Sequence, residues 1–112
     1  MYPTAPASRA IDLVHLARQS LGDKGLECEL LALFERQAGQ ILARLAQDMA
    51  ATNPKARADL AHTLKGSALA IGANRVAAAA AAYEAASTDR QMLALRKAVD
   101  EARCAVASLL AA

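Results

Sequence analysis

The chain has 112 residues, of which 55% are hydrophobic and 3% aromatic, and its formal net charge is +2. This length fits a single domain over residues 1–112, and the scarcity of aromatic side chains argues against a β-sandwich or barrel. Basic residues are interleaved with acidic ones, unlike the clustered basic face typical of nucleic-acid binding, and no apolar run approaches the ~20 residues that span a membrane. Alanine, leucine and other strong helix formers dominate, so the composition predicts an all-α protein.

Two helices are predicted in the N-terminal half of the chain. Residues 1–7 form a loose lead-in, and Ser8 is the expected N-cap of a first helix that ends near Ser20. Asp23 is expected to cap a second helix from about Lys24 to Ala51, because apolar residues recur there at spacings of three, four and seven. The apolar stripe of the first helix consists of Ile11, Val14 and Leu21.

Three further helices are predicted in the C-terminal half. Asn53 suits an N-cap and Pro54 the first helical position, so a third helix begins there and ends near Gly72. A fourth helix is expected over residues 74–86 and a fifth over residues 89–110, whose apolar stripe alternates steps of three and four. Four long amphipathic helices with short connections predict an antiparallel four-helix bundle with an additional N-terminal helix.

The third helix carries a small group of residues suited to chemistry. His62, Lys65 and Gly66 are three and four positions apart and share one helical face. The apolar residues Leu60 and Leu64 fall at about 140–180° from His62 on a helical wheel. A glycine inside a helix costs about 1 kcal/mol relative to alanine, which favours a functional patch over an ordinary surface histidine. The spacing does not suggest a metal site.

The run AHTLKGSALAIGANRV, residues 61–76, resembles the motif of histidine-containing phosphotransfer (HPt) domains, the carriers of multistep bacterial and fungal phosphorelays. The family pattern is a histidine followed by lysine at +3, glycine at +4, a small residue at +5 and glycine at +10. The helical layout also fits the family over most of the chain. The matching residues are His62, Lys65, Gly66, Ser67 and Gly72.

The resemblance implies a histidine phosphotransfer protein. The imidazole of His62 would accept a phosphoryl group from an aspartyl phosphate on a receiver domain and pass it to the aspartate of another receiver. Lys65 would place a positive charge near the transferred oxygens, and Gly66 would leave room for the receiver to approach. Gly72 would permit the turn that ends the helix.

Four further residues are candidates for supporting the site. Glu84 lies where some family members carry a glutamine near the imidazole, and it either accepts the imidazole N–H or is an ordinary exposed helix residue. Ser67 is expected to bond the backbone one turn back. Ala58 and Leu69 lie on the His62 face and are candidate docking residues for the partner.

The expected partners are response-regulator receiver domains and a hybrid sensor kinase, with no nucleic acid or membrane and with the protein itself a monomer. The chain lacks a Gly-rich nucleotide loop and an acidic pair set up for Mg²⁺, so no ATP-dependent kinase activity of its own is expected. No cofactor is expected either, and Mg²⁺ would belong to the receiver.

Cys28 and Cys104 lack metal-ligand spacing and are interpreted as reduced thiols of a cytoplasmic protein. Two alternative functions stay open at this point. One is a module that binds receivers without being phosphorylated, and the other is a plain helical interaction domain.

Overall fold

A computed structural model of the chain describes residues 10–47 and 53–111. Within those residues the secondary structure consists of five α-helices and no strand, which confirms the all-α prediction. The helices are α1 (Leu13–Gln19), α2 (Lys24–Leu45), α3 (Pro54–Ile71), α4 (Asn74–Ala85) and α5 (Asp89–Ala111).

Capping side chains set where α2 and α3 begin. A carboxylate oxygen of Asp23 accepts a hydrogen bond from the backbone N–H of Leu26 at 3.1 Å. The side-chain oxygen of Asn53 accepts one from the backbone N–H of Ala56 at 3.1 Å, and Pro54 occupies the first turn of α3. Each cap satisfies an N–H that has no partner inside its own helix, so both predicted starts are confirmed.

The predicted start of the first helix and the predicted end of the second are wrong. The N-cap of α1 is Asp12, whose extended backbone (ψ 101°) precludes a continuous helix from Ser8 to Ser20. Helix α2 ends at Leu45, followed by a cap at Ala46, and does not continue to Ala51. Ser8, the lead-in over residues 1–7 and residues 48–52 lie outside the described residues.

The four long helices bury their apolar stripes against one another. Helix α2 packs against α3, α3 against α4, α4 against α5, and α5 back against α2. The predicted stripe of α5 is confirmed at its centre, where Leu95, Val99 and Val106 have essentially no exposed surface. Opposite them in the core lie Leu31 and Phe34 of α2, Leu64 and Ile71 of α3, and Val76 of α4.

The short helix α1 packs against α2 and α3. It is anchored by Ile11 and Leu16, which are fully buried. The rest of its predicted stripe is wrong, because Val14 is 63% exposed and Leu21 is 89% exposed. The break at Asp12 changes the rotation of the helix relative to Ile11, so residues spaced for one continuous helix no longer share a face.

Across the described ranges, none of the helices is long and apolar enough to cross a membrane. Cys28 is half-buried and Cys104 exposed, and neither forms a disulfide.

Candidate functional site

His62 projects from the side of α3 that faces away from the core. Its neighbours Ala61 and Leu64 are fully buried, whereas 71% of the His62 side chain is exposed. This placement agrees with the helical wheel, because a 3.6-residue period separates the two faces whatever the helix packs against.

Lys65 and Gly66 lie one turn beyond His62 on the same side of α3. Lys65 is half-buried, and its ammonium has no ion pair or hydrogen bond with any residue that the structure describes. Gly66 is exposed, and a Cβ built there would meet nothing within 4 Å. The arrangement therefore combines an accessible imidazole, an uncommitted positive charge and a stretch of bare helix surface.

Glu84 of α4 approaches the imidazole from the neighbouring helix. Its Oε1 lies 3.5 Å from Nδ1 of His62, and 34% of the Glu84 side chain is exposed. The two groups are within ion-pair distance, but the contact does not have hydrogen-bond geometry, so acceptance of the imidazole N–H by Glu84 stays a prediction. The contact depends on how α3 packs against α4, so residue spacing along one helix does not reveal it.

Ser67 does not bond its own helix backbone, so that prediction is wrong. Its hydroxyl donates to Oε1 of Gln37 on α2 at 2.7 Å. The hydroxyl that bonds the backbone one turn back is that of Thr63, which donates to the carbonyl of Asp59 at 3.0 Å. Sequence reasoning missed Gln37 because a bond spanning thirty residues has no local signal.

Gly72 ends α3 in the left-handed conformation, with φ +78°. Its carbonyl accepts a hydrogen bond from the backbone N–H of Asp12 at 2.8 Å. A Cβ at this position would lie 2.9 Å from the Asp12 carbonyl oxygen. The glycine is therefore required both by the turn and by the close approach of the segment that precedes α1.

The two candidate docking residues differ in exposure. Leu69 is 47% exposed on the His62 side of α3, whereas Ala58 is half-buried.

Two basic residues near the site form ion pairs within the protein. Lys55 pairs with Asp59 at 3.1 Å, and Arg75 lies 3.9 Å from Glu101. In the described part of the chain, no cluster of histidine, cysteine and acidic residues is arranged to hold a metal ion.

A family model, the Hpt domain, matches residues 29–112, which is three quarters of the chain. The chain belongs to the Hpt domain family. Hpt domains perform histidine phosphotransfer in phosphorelays and interact with receiver domains. Comparisons with curated proteins and with solved structures return no match.

All the candidate site residues lie inside the matched range of the Hpt domain, whereas α1 precedes it. The contact between Asp12 and Gly72 therefore joins a segment outside the match to the end of the helix that carries His62.

The other histidine, His15, lies on α1 and is half-buried. Its Nε2 atom is buried and has no hydrogen-bond partner among the described residues. This environment suits a packed histidine better than a phosphoryl carrier.

Proposed function

We propose that this Hpt domain is a phosphocarrier in which His62 accepts a phosphoryl group from the aspartyl phosphate of one receiver domain and transfers it to the aspartate of another. The observation that carries the proposal is the 71% exposure of the His62 side chain on the face opposite the core. An exposed imidazole is a nucleophile that a second protein can reach, and covalent transfer through it divides one reaction into two easier steps.

In the accepting step, the lone pair of one imidazole nitrogen forms an N–P bond while the P–O bond of the acyl phosphate breaks. The receiver carboxylate leaves with the electron pair of that bond. Negative charge on the transferred group is spread over its oxygens, and the uncommitted ammonium of Lys65 is placed to stabilise it. The receiver supplies Mg²⁺, so this chain needs no cofactor of its own.

The surface around His62 is proposed to dock the receiver. Gly66 places no side chain beside the imidazole, which leaves space for the receiver. Leu69 provides an exposed apolar contact one turn further along. Ala58, Ser67 and Gly72 support this face. Ser67 acts by bonding α3 to α2, and Gly72 by ending the helix.

We also propose that the four long helices form an antiparallel four-helix bundle within a single domain, with α1 as an additional helix. Each of these helices packs against two of the others in a closed ring. The connections from α3 to α4 and from α4 to α5 contain two and three residues. Such short connections favour antiparallel neighbours.

The protein is proposed to act in the cytoplasm as a monomer, with a hybrid sensor kinase as its upstream partner.

Phosphate trapping tests the proposed function directly. Receiver domains from the source organism would be phosphorylated with radiolabelled acetyl phosphate and mixed with the protein. Label should move to the wild-type chain, be stable in base and labile in acid, and be absent from His62→Gln. His15→Gln, which alters the only other histidine, should still accept label.

Two results would overturn the proposal. Binding of a receiver without any transfer of label would favour the unphosphorylated receiver-binding module instead. Label that persists in His62→Gln would show that another residue carries the phosphoryl group.

A further inference from the structure

On the side of α3 that faces α2, little side-chain bulk separates His62 from the neighbouring helix. Going around α3 from His62 toward α2, Gly66 lies at about 40° and Ser67 at about 140°. A Cβ at Gly66 would meet nothing within 4 Å, and Ser67 is half-buried where the two helices meet. A protein that covers His62 and Gly66 therefore next reaches the side chain that α2 places against Ser67, which is Gln37.

Only one of the two polar atoms of the Gln37 amide is bonded within the described residues. Its Oε1 accepts the hydroxyl hydrogen of Ser67 at 2.7 Å. Its Nε2 has no hydrogen-bond partner there, and it is not among the unpartnered atoms that are buried, so it is accessible to solvent. The nitrogen of a primary amide carries two hydrogens that it can donate. The bond to Ser67 thus sets the direction of the amide and leaves its donor side free.

The neighbouring polar groups on this side of α3 are bonded within the protein. Thr63 donates its hydroxyl hydrogen to the carbonyl of Asp59 at 3.0 Å. The carboxylate of Asp59 pairs with Lys55 at 3.1 Å. Where α2 meets α3 beyond Gly66, the Gln37 amide is therefore a donor that a partner can use. Because Ser67 holds the amide in place beforehand, a partner that bonds it has little side-chain ordering to impose.

We propose that Gln37 is a docking residue for the receiver, to which its Nε2 donates a hydrogen bond while Ser67 holds its Oε1. This proposal rests on the proposed docking of a receiver over His62. An amide N–H pairs with an oxygen acceptor, so a matching receiver presents a carbonyl or carboxylate oxygen at this point. A receiver with an apolar group there would leave the N–H desolvated and unpaired, which costs affinity. Gln37 thereby discriminates among receivers.

Calorimetric titration of the unphosphorylated protein tests this contact separately from phosphoryl transfer. The probe is the receiver domain of the source organism that binds the wild type most tightly. Gln37→Glu keeps an oxygen for Ser67 but replaces the free donor with an acceptor, whereas Gln37→Leu removes both, and Ser67→Ala removes the group that holds the amide. The matched control is Gln91→Glu, at a half-buried position of α5, which is not one of the helices flanking α3. Circular dichroism shows that each variant is folded.

Gln37→Glu should weaken binding of the receiver about 30-fold, because two acceptors then face each other in a desolvated contact. Gln37→Leu should weaken it about fivefold through the loss of one hydrogen bond, and Ser67→Ala about threefold, because the amide is no longer held. Gln91→Glu should bind like the wild type. Phosphoramidate, a small donor that needs no docking surface, should load Gln37→Glu at the wild-type rate. A purely structural role for Gln37 would not separate binding from chemical loading in this way.

Wild-type affinity of Gln37→Glu for the receiver would overturn the proposal, as would an equal loss of affinity in Gln91→Glu. Slow loading of Gln37→Glu by phosphoramidate would also overturn it, since the substitution would then act on His62 and not on docking. Failure of the proposed function looks different. In that case the receiver binds the wild type and Gln37→Glu weakens that binding, but no phosphoryl group moves between the receiver and His62.

Discussion

At the scale of single residues, Gly66 occupies a position that stability alone would not assign to glycine. It lies inside α3, and the space where its Cβ would stand is open. Alanine there would avoid the entropic cost of glycine without meeting any neighbour. The proposed docking of a receiver beside His62 gives a physical reason for glycine at this position.

Replacing Gly66 should separate stability from transfer. Gly66→Ala is expected to raise the free energy of unfolding by about 1 kcal/mol, measured by urea denaturation. Gly66→Leu should leave the fold intact but slow transfer from a phosphorylated receiver by about 100-fold, because the receiver is held away from the imidazole. Ala94→Leu, at an exposed position on α5, should transfer normally. Wild-type transfer by Gly66→Leu would rule out the docking role of this glycine.

At the scale of helices, Gly72 joins three elements at one point. It ends α3, precedes α4 and accepts a hydrogen bond from the segment that leads into α1. The matched comparison is Gly22, between α1 and α2. Its φ is nearly the same, +76°, but a Cβ there would meet nothing within 4 Å. The two glycines share a left-handed backbone and differ in the collision with Asp12.

Alanine substitution at these two glycines should measure that collision. Gly22→Ala is expected to cost about 1 kcal/mol, the penalty of a left-handed backbone for a residue with a Cβ. Gly72→Ala should cost about 2–4 kcal/mol, because overpacking against the Asp12 backbone is added to the same penalty. Urea denaturation of both variants gives the difference. Equal losses would mean that the α1 entry segment moves away at no cost.

At the scale of the whole molecule, the apolar stripes of the long helices are buried against one another. The stripe of α5 is buried at Leu95, Val99 and Val106 and so is not available to a partner helix. The large apolar residues that remain exposed within helices are divided among four of them: Leu13 and Val14 on α1, Leu26 and Leu33 on α2, Leu69 on α3, and Leu93 and Leu110 on α5. Among the described residues, no helix carries more than two of these residues, which is short of the extended apolar patch that drives dimerisation.

Sedimentation velocity should accordingly give a monomer of 11.7 kDa. A reducing agent belongs in the buffer, since Cys104 is exposed and free to oxidise. A dimer under reducing conditions would contradict this prediction and would favour the helical interaction domain that the sequence left open.

Local pattern was sufficient to predict the helices and the orientation of His62. The caps at Asp23 and Asn53 accept hydrogen bonds from N–H groups three residues away, so they can be predicted from the neighbouring residues in the sequence. The exposure of His62 follows from helical periodicity, which any amphipathic helix obeys. The error at the start of α1 arose because a competing local signal was present: Asp12 is a nearer cap, and it begins the helix.

The sequence by itself thus determined the helical class, the motif and the face on which His62 stands, because each depends on residues within a turn or two of one another. Only the packing of the helices shows that Ser67 bonds Gln37 and that Gly72 lies against Asp12, and it brings Glu84, which the family resemblance singled out, to 3.5 Å from Nδ1 of His62. These contacts join residues 22 to 60 positions apart in the printed sequence. Whether residues so far apart in the sequence come into contact depends on how whole helices pack, which the spacing of residues along one helix does not encode.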